Sequence, residues 1–307
     1  MIRKQAEFIE RARCINCESH HLTTLSGGCF GENPLRAFIE HDPWGESPLP
    51  YIENDEWLLV QCEDCSQAFH KRILSPEWMN KCYSEWVTQE AIQKFLETRN
   101  TPENNFEAAR RRVRHVLQIE NLTRRLRNGE AVRVLDFGCG WGEFLALCDG
   151  FGFHTSGIDF SLDRRKHGRV SIFPSIDELK RSSKTESAFH VITLFEVLEH
   201  LASPSEVIKL LSVLLVQGGL LILETPDCTG VTDITSAEDY RLIHPLSHIN
   251  AFTPDTLCSI AQRAGFQPIN PGVAQVTCDR KRVIKTEIKH VINRFIRPTT
   301  QKYFCKM

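Results

Sequence analysis

The chain has 307 residues, of which 41% are hydrophobic and 25% charged, and its formal net charge is −2. Such a composition is ordinary for a soluble globular protein with a sizeable core, and the small net charge gives no global argument for nucleic acid or a membrane as partner. The longest apolar region, 210–223, is interrupted by Gln217 and two glycines. Because of this interruption, it is not predicted to span a membrane. The N-terminus lacks the apolar core of a signal peptide, so twelve cysteines favour a reducing compartment and predict a cytoplasmic protein.

Two Cys-x-x-Cys pairs lie in the first hundred residues: Cys14, Cys17, Cys62 and Cys65. Each pair can place two thiolates on one tetrahedral ion, and four thiolates complete a closed structural site. The segment between the pairs is longer than in a compact zinc ribbon and contains many turn residues, which predicts an irregular loop. We therefore expect a structural zinc in a zinc-ribbon-like module over residues 1–74. Cys29 and His70 are candidate substitute ligands, and four cysteines without metal are the alternative.

Residues 75–129 have the pattern of a helical connector. Ser75-Pro76 and Thr101-Pro102 are typical helix starts, and Asn128-Gly129 is a typical helix end. An arginine-rich face can bind phosphate or nucleic acid, but it is more often solvated or paired with acids elsewhere. The arginines of this segment are Arg110, Arg111, Arg112, Arg114, Arg124, Arg125 and Arg127.

The segment 132–145 reads as a strand, a glycine-rich turn and a helix. Its apolar run stops at Asp136, and Gly138, Gly140 and Gly142 follow at alternate positions. Glycines let the backbone turn tightly and pass close to a ligand, where a Cβ would collide. The Gly-x-Gly-x-Gly pattern departs from the dinucleotide fingerprint, and an acid ahead of the glycines would repel a pyrophosphate. The pattern favours a positively charged nucleoside over NAD.

The strands that follow predict an α/β fold. The segment 154–160 reads as the next strand and carries Asp159 near its end, where an acid can accept hydrogen bonds from two ribose hydroxyls. Further strands are predicted at 170–173, 189–194 and 220–224. Because open α/β sheets bind ligands at the carboxyl ends of their strands, we expect functional residues directly after these segments.

The segment 195–201, F-E-V-L-E-H-L, follows the fourth strand of this core. If it opens a helical turn, Glu196, Glu199 and His200 share one face. Two carboxylates and an imidazole suit a hard or borderline divalent cation. Hydrogen bonds that order the loop are the alternative role for these three residues.

After the fifth strand, the segment 245–257 contains His248 followed by Phe-Thr-Pro. A histidine can take a proton from a hydroxyl near neutral pH, so His248 is a candidate general base or substrate contact. A histidine that orders the loop through backbone hydrogen bonds is the alternative.

The tail, 273–307, is basic and carries apolar residues at helical spacing. A basic amphipathic helix can make weak contact with a membrane surface, but a terminal helix more often packs on its own domain. We expect a C-terminal helix with a mobile end over the last ten residues.

Four motifs occur in the order and spacing of class I S-adenosylmethionine-dependent methyltransferases, which the chain resembles. They are D-F-G-C-G-W-G at 136–142, G-I-D at 157–159, V-I-T-L-F-E-V-L-E-H-L at 191–201 and G-G-L-L-I-L-E-T-P at 218–226. The chain resembles in particular the branch with E-V-L-E-H after the fourth strand and H-x-x-x-F-T-P after the fifth. The resemblance implies a Rossmann-like methyltransferase core over residues 130–272, with helices on both faces of the sheet.

The resemblance implies S-adenosyl-L-methionine as cofactor. Ile176 would give the adenine pocket an apolar face, and Phe195 would contact the methionine end. The cofactor-binding residues expected from the resemblance are Asp136, Gly138, Cys139, Gly140, Asp159, Phe160, Ile176 and Phe195. Small-RNA 2′-O-methyltransferases and ubiquinone-pathway O-methyltransferases carry a similar E-x-x-E-H as a metal site, which suggests a divalent cation at the corresponding residues here. The predicted catalytic residues are His248, Glu196 and His200.

Methyl transfer to a small-molecule or glycan-type acceptor is the function that these features predict, with oxygen, nitrogen and carbon open as the methylated atom. A catalytically inactive, zinc-bearing interaction module is one alternative, and the intact glycines and Asp159 argue against it. The near-neutral charge argues against an RNA methyltransferase and against nucleic acid as a partner. The acid ahead of the glycines argues against an NAD-linked oxidoreductase.

Overall fold

The structure, a computed structural model, describes residues 4–97, 101–124, 126, 129–168, 170–182, 189–272, 274, 288 and 299–307. The strands in chain order are β1 (Phe8–Glu10), β2 (Leu22–Cys29), β3 (Glu56–Cys62), β4 (Ala68–His70), β5 (Arg72–Leu74), β6 (Arg133–Phe137), β7 (His154–Ile158), β8 (Ile172–Phe173), β9 (Phe189–Phe195), β10 (Leu215–Glu224), β11 (Asn250–Ala251), β12 (Phe266–Ile269) and β13 (Lys302–Lys306).

The α-helices are α1 (Leu35–His41), α2 (Leu49–Ile52), α3 (Pro76–Lys81), α4 (Gln89–Glu97), α5 (Pro102–Thr123), α6 (Glu143–Gly150), α7 (Leu162–His167), α8 (Ile176–Ser182), α9 (Pro204–Ser212), α10 (Ala237–Leu242) and α11 (Pro254–Arg263). A π-helical turn covers Cys82–Trp86 and a 3-10 turn covers Leu198–His200. The predicted helix starts at Pro76 and Pro102 are confirmed. Helix α5 ends at Thr123, before the predicted stop at 128–129.

The chain divides into two compact units, each built from three segments. The first unit comprises Met1–Thr101, Leu198–Pro204 and Pro226–Thr256, and the second comprises Pro102–Val197, Ser205–Thr225 and Leu257–Met307. This division differs from the predicted domains 1–74, 75–129, 130–272 and 273–307. The segments that follow β9 and β10 belong to the unit of the N-terminal cysteines, and α5 belongs to the unit of the glycine-rich turn.

The sheet of the second unit has, among the described residues, the strand order β12-β13-β10-β9-β6-β7-β8. Strands β8, β7, β6, β9 and β10 pair in parallel, whereas β13 lies antiparallel to both β10 and β12. Six of the seven residues of β9 are buried, as expected for a strand of a mostly parallel sheet that is covered by other elements. The predicted α/β, Rossmann-like fold class is confirmed.

The end of the chain is a strand. Lys302–Lys306 pairs with β10 on one side and β12 on the other, and Tyr303 and Phe304 are buried. The expectation of a mobile end is therefore wrong for these five residues, because backbone hydrogen bonds on both edges and two buried aromatic rings hold them. The predicted basic helix falls almost entirely within 273–298, of which the structure describes only residues 274 and 288.

The first unit combines a four-stranded antiparallel sheet, in the order β11-β4-β3-β2, with the two-stranded ladder of β1 and β5. Its core is rich in large aromatic side chains, among them the fully buried Phe30 and Trp86. Each such ring contributes on the order of 2–3 kcal/mol through burial, which lets a small sheet form a stable unit. None of the helices in the described part of the chain has the length and hydrophobicity that a membrane crossing requires.

Candidate cofactor and metal sites

The glycine-rich turn lies at the carboxyl end of β6. The amides of Gly138 and Cys139 donate to the carbonyl of Ile158, at 2.8 and 3.0 Å, and so fix the turn against β7. Gly138 has a φ of 80°, and a Cβ there would lie 2.4 Å from Cγ2 of Val197. Because a side chain at this position is excluded by both conformation and space, the turn requires glycine.

Asp136, the acid ahead of the glycines, is buried at the end of β6. Its Oδ1 accepts a hydrogen bond of 2.6 Å from the Thr193 hydroxyl of the neighbouring strand β9. Burial and, to a smaller extent, the negative charge of Asp159 raise the pKa of Asp136 to about 7, against the opposing effect of the Thr193 hydrogen bond. A cation near this carboxylate would offset the penalty, so the site favours a positively charged ligand.

Asp159 holds the glycine turn and the start of α7 together. Its Oδ2 accepts from the amide of Gly140 at 3.0 Å and from Arg164 Nη1 at 3.3 Å, and its Oδ1 accepts from the amide of Ser161 at 2.9 Å. The structure thus brings Asp159 and the predicted residues 136–140 to one edge of the sheet. Charge-assisted hydrogen bonds of this kind are the stronger ones in proteins.

The other predicted cofactor residues belong to separate elements of the same unit. Phe160, directly after Asp159, is 71% exposed. Ile176 is the first residue of α8 and is buried. Phe195 ends β9, and its ring lies 5.1 Å from that of Phe144 and 4.7 Å from that of His115.

His115 belongs to a buried polar network that the sequence patterns did not single out. Its Nδ1 lies 2.5 Å from the Tyr303 hydroxyl, and its Nε2 lies 3.2 Å from Oε2 of Glu224, which also accepts from Gln301 at 2.6 Å. Arg111 pairs with the other oxygen of Glu224 at 2.8 Å. The i,i+4 spacing of Arg111 and His115 on α5 indicates that the two side chains share a helix face. It does not indicate their partners, Glu224 and Tyr303, which lie far away in sequence.

Two of the arginines of α5 pair with acids on other elements of the same unit. Arg111 contacts Glu224, and Arg112 contacts Glu143 on α6 at 2.7 Å. These ion pairs support the interpretation of this face as paired with acids elsewhere, because the two guanidinium groups already have carboxylate partners.

Glu196, predicted as a catalytic residue and as a cation ligand with Glu199 and His200, belongs to the second unit and not to the metal-ligand group that contains those two. Its amide donates to the carbonyl of Glu224 at 2.8 Å, and its φ of 55° lies in the left-handed region. A non-glycine residue in that region is strained, and such strain often occurs at functional positions.

The four cysteines of the two Cys-x-x-Cys pairs lie together in the first unit, with their Sγ atoms within 4.8 Å of one another. Two Sγ–Sγ distances, Cys14 to Cys65 and Cys17 to Cys62, are both 3.5 Å. A tetrahedral zinc with Zn–S bonds of about 2.3 Å would place its sulfurs roughly 3.8 Å apart. The arrangement therefore fits a zinc ion with little rearrangement.

The two cysteine turns share one backbone conformation. In each, the residue directly after the second cysteine, Glu18 or Ser66, has a φ of 64° or 60°. In each, that residue donates its amide to the carbonyl of the first cysteine, at 3.0 and 2.9 Å. Two turns of matched geometry facing each other are expected for a shared metal ion and not for four unrelated buried thiols.

The first unit contains a second group of metal-ligand type, formed by Glu199, His200 and His248, with one ligand atom of each within 4.8 Å of the others. Nδ1 of His200 lies 2.9 Å from the Ser247 carbonyl, which can only accept, so this nitrogen carries the proton. The Nε2 lone pair of the neutral ring is then available, and Nε2 lies 3.9 Å from Oε1 of Glu199. Such tautomer control is typical of histidine ligands.

Both histidines of this group are neutral near pH 7. Burial lowers the pKa of His200 to about 4, against the opposing effect of the hydrogen bond to Ser247. Burial, followed by the neighbouring His200 and His244 rings, lowers the pKa of His248 to about 3. Nδ1 of His248 is buried and has no hydrogen-bond partner in the described part of the chain. A neutral imidazole with an unused nitrogen suits a metal better than it suits a general base.

The two candidate substitute ligands have other partners. Nε2 of His70 donates to the Ile243 carbonyl at 2.7 Å, and Sγ of Cys29 donates to the Glu53 carbonyl at 2.9 Å. Neither belongs to a metal-ligand group among the described residues.

The chain matches the methyltransferase domain family over residues 89–270, more than half of its length. The ubiquinone biosynthesis O-methyltransferase of Aeromonas salmonicida is 27% identical over a region that covers 44% of this chain and 62% of that protein. The protein of the same name from Thiobacillus denitrificans is 33% identical over 30% of this chain and 44% of its own length. The chain thus spans less than two thirds of the length of these curated relatives.

Two of the solved structures to which the chain is similar are methyltransferases that are distant in sequence. A SAM-dependent methyltransferase from Archaeoglobus fulgidus is 23% identical, with a TM-score of 0.38 over 67% of this chain and 98% of that one. The plantazolicin methyltransferase BpumL in complex with SAH is 15% identical, with a TM-score of 0.45 over 74% of this chain and 93% of that one.

Proposed function

Because the chain belongs to the class I S-adenosylmethionine-dependent methyltransferases, we propose that it transfers a methyl group from S-adenosylmethionine to a hydroxyl group of a small-molecule acceptor. The observation that carries the proposal is the placement of the Asp159 carboxylate on the amide of Gly140, at the edge where the glycine turn ends β6. Phenols, enols and glycan hydroxyls all belong to this acceptor class.

The residues at this edge fit the cofactor. Asp159 would accept hydrogen bonds from the ribose hydroxyls, and the glycine turn lets backbone atoms approach the ligand closely. Asp136 is a buried carboxyl group with a raised pKa, and its ionised form would be stabilised by a cationic ligand. When bound, the cofactor supplies a methyl group that the sulfonium already activates. What remains for the chain is to orient the acceptor and to exclude water.

The choice of a hydroxyl acceptor rests on Glu199, His200 and His248. One carboxylate and two neutral imidazoles suit a borderline divalent cation, and these residues would hold it. Such a cation supplies a Lewis acid that favours the deprotonated form of a hydroxyl group. His248, with a pKa lowered to about 3, would take up a proton only weakly near pH 7, so we assign it the role of ligand. The O-methyltransferase names of the curated relatives agree with this choice.

We also assign a structural zinc to the four clustered cysteines. Four thiolates complete the coordination of the ion and leave no position for substrate. The cysteine site therefore stabilises the first unit and does not itself bind the acceptor.

Calorimetric titration with S-adenosylhomocysteine and, separately, NADH tests the proposal. We expect micromolar binding of the homocysteine compound and no binding of NADH. Asp159→Asn should weaken the binding about 10- to 100-fold, because a charged hydrogen-bond partner contributes about 1.5–3 kcal/mol. Asp149→Asn, an exposed acid on α6, is the matched control and should bind as the wild type does.

An acceptor screen then tests the methylated atom. Hydroxyl compounds and matched amines are incubated with S-adenosylmethionine, and S-adenosylhomocysteine release is measured with and without Mg²⁺ or Mn²⁺. We expect turnover of hydroxyl compounds only, with loss of rate after chelation. Turnover confined to amines would contradict O-methylation. If the calorimetric titration showed binding of neither S-adenosylhomocysteine nor NADH, the alternative of a zinc-bearing interaction module would be favoured.

A further inference from the structure

We propose that the four-cysteine site positions Glu199, His200 and His248 through Arg11 and Asn250, so that breaking this connection weakens cation binding without weakening cofactor binding. The inference rests on the proposed cation site and goes beyond it, because it gives the zinc module a role in the chemistry of a second metal. All residues involved belong to the first unit.

Arg11 connects the first cysteine turn to distant segments. It lies three residues before Cys14, and its guanidinium donates to the His70 carbonyl from Nε and Nη2, at 3.1 and 2.6 Å. Nη2 also donates to the Ile249 carbonyl at 2.8 Å, and Nη1 donates to the Ala202 carbonyl at 3.3 Å and to Oδ1 of Asn250 at 2.7 Å. A planar, five-donor group suits this set of acceptors.

Asn250 carries the connection to the ligand turn. Its side chain is buried, and Nδ2 donates to the carbonyls of Leu198 and Leu201, both at 2.7 Å. These two carbonyls flank Glu199 and His200. Since Oδ1 of Asn250 accepts from Arg11, the Asn250 side chain connects Arg11 to the ligand turn.

The second cysteine turn reaches the same segment by another route. Gln67, two residues after Cys65, donates to the Ala251 carbonyl at 2.7 Å, and the strand that follows pairs Phe69 with Asn250. The amide of His70 donates to the Ile249 carbonyl at 2.9 Å. Ile249 is the residue directly after His248.

The regions of both cysteine turns thus hold the segment 248–251. This segment carries the ligand His248 and the Asn250 side chain, which fixes the turn of Glu199 and His200. A metal ion shared by the cysteines joins the two turns, because each turn supplies two of its four ligands. Hydrogen-bonded residues behind metal ligands typically change metal affinity 10- to 100-fold when they are replaced. Arg11 and Asn250 are positioning residues in this sense, since neither is a ligand.

The test compares Arg11→Gln and Asn250→Ala with Arg13→Gln, an exposed arginine two residues further along. Three quantities are measured on each protein: zinc content, calorimetric affinity for S-adenosylhomocysteine, and Mn²⁺ affinity from electron paramagnetic resonance. We expect one zinc per chain in every variant. The affinity of each variant for S-adenosylhomocysteine should lie within about twofold of the wild-type value. Mn²⁺ affinity should fall about 10- to 100-fold in Arg11→Gln and Asn250→Ala only. Arg11→Lys, which keeps the charge but fewer donors, should be intermediate.

The outcomes separate this inference from the function on which it rests. Unchanged Mn²⁺ affinity in both variants, with normal Mn²⁺ binding by the wild type, would overturn the inference alone. Absence of Mn²⁺ binding by a wild-type protein that binds S-adenosylhomocysteine would overturn the cation site as well. If a variant lost as much affinity for S-adenosylhomocysteine as for Mn²⁺, the change would be a general folding defect. This result would also overturn the inference.

Discussion

The buried carboxyl group of Asp136 makes the stability of the folded protein depend on pH. It ends β6 beside Thr193, and its pKa is raised to about 7, chiefly by burial. Its folded-state pKa therefore lies above the ordinary value of 3.8. As pH rises through the interval from about 4 to 7, ionisation becomes easier in the unfolded chain than in the folded one, so the folded protein loses stability.

Replacing Asp136 with asparagine should remove this pH dependence. Asparagine keeps an acceptor for the Thr193 hydroxyl but does not ionise. In the absence of ligand, the unfolding free energy of Asp136→Asn at pH 8 should exceed that of the wild type by up to roughly 4 kcal/mol, at about 1.4 kcal/mol per pKa unit. The gain should shrink toward pH 4. Urea denaturation at several pH values measures it, and a difference that does not vary with pH would contradict the expectation.

Glu196 has a strained backbone, with its φ of 55° in the left-handed region. Glu196→Gly should relieve this strain and raise the unfolding free energy by about 1 kcal/mol. Because Glu196 is a predicted catalytic residue, methyl transfer should fall in the same variant, which lacks its carboxylate. Thermal unfolding and turnover are measured on the same preparation. A variant of lower stability and full activity would show that neither the strain nor the carboxylate matters.

The sequence pattern missed strand β13, and it also missed β2, α1 and α2, which lie where an irregular loop was predicted between the cysteine pairs. The pattern around Tyr303 is short and basic, and its pairing partners, Leu220–Leu223 and Phe266–Ile269, lie far away in sequence. By contrast, the glycine turn, the two cysteine turns and the proline-started helices are set by neighbouring residues, so their sequences indicated them. The network around His115 and the connections of Arg11 depend on tertiary contacts, and no local pattern could have indicated them.

Removing the Phe304 ring should destabilise the second unit strongly. The ring is fully buried, and Phe→Ala changes at such positions cost about 3–5 kcal/mol. Met307→Ala, at a residue that is 62% exposed, is the control and should leave the denaturation midpoint unchanged. Equal midpoints for both variants in urea would restore the original expectation of a mobile end.

The two units interleave along the chain. A zinc ion held by Cys14, Cys17, Cys62 and Cys65 would stabilise a unit whose segments include 198–204 and 226–256. The predicted domains would instead confine the effect of zinc to residues 1–74.

Hydrogen exchange distinguishes these two possibilities. Chelation of zinc should accelerate exchange in 4–97 and also in 198–204 and 226–256, because local stability follows compact units and not sequence order. S-adenosylhomocysteine should slow exchange at 136–142 and 157–160 in the same experiment. Acceleration confined to residues before 75 would support the predicted domain boundaries instead.

The interleaving also affects how the protein is made. Ribosomes extend chains at about 5–20 residues per second, so the segment ending at Thr256 emerges roughly 150 residues, or about 8 to 30 s, after the segment ending at Thr101. During that interval, β4 is without its neighbour β11 and presents an unpaired edge next to the cysteine turns. An exposed edge is prone to pair with other chains. The nascent protein should therefore depend on chaperones until β11 is synthesised.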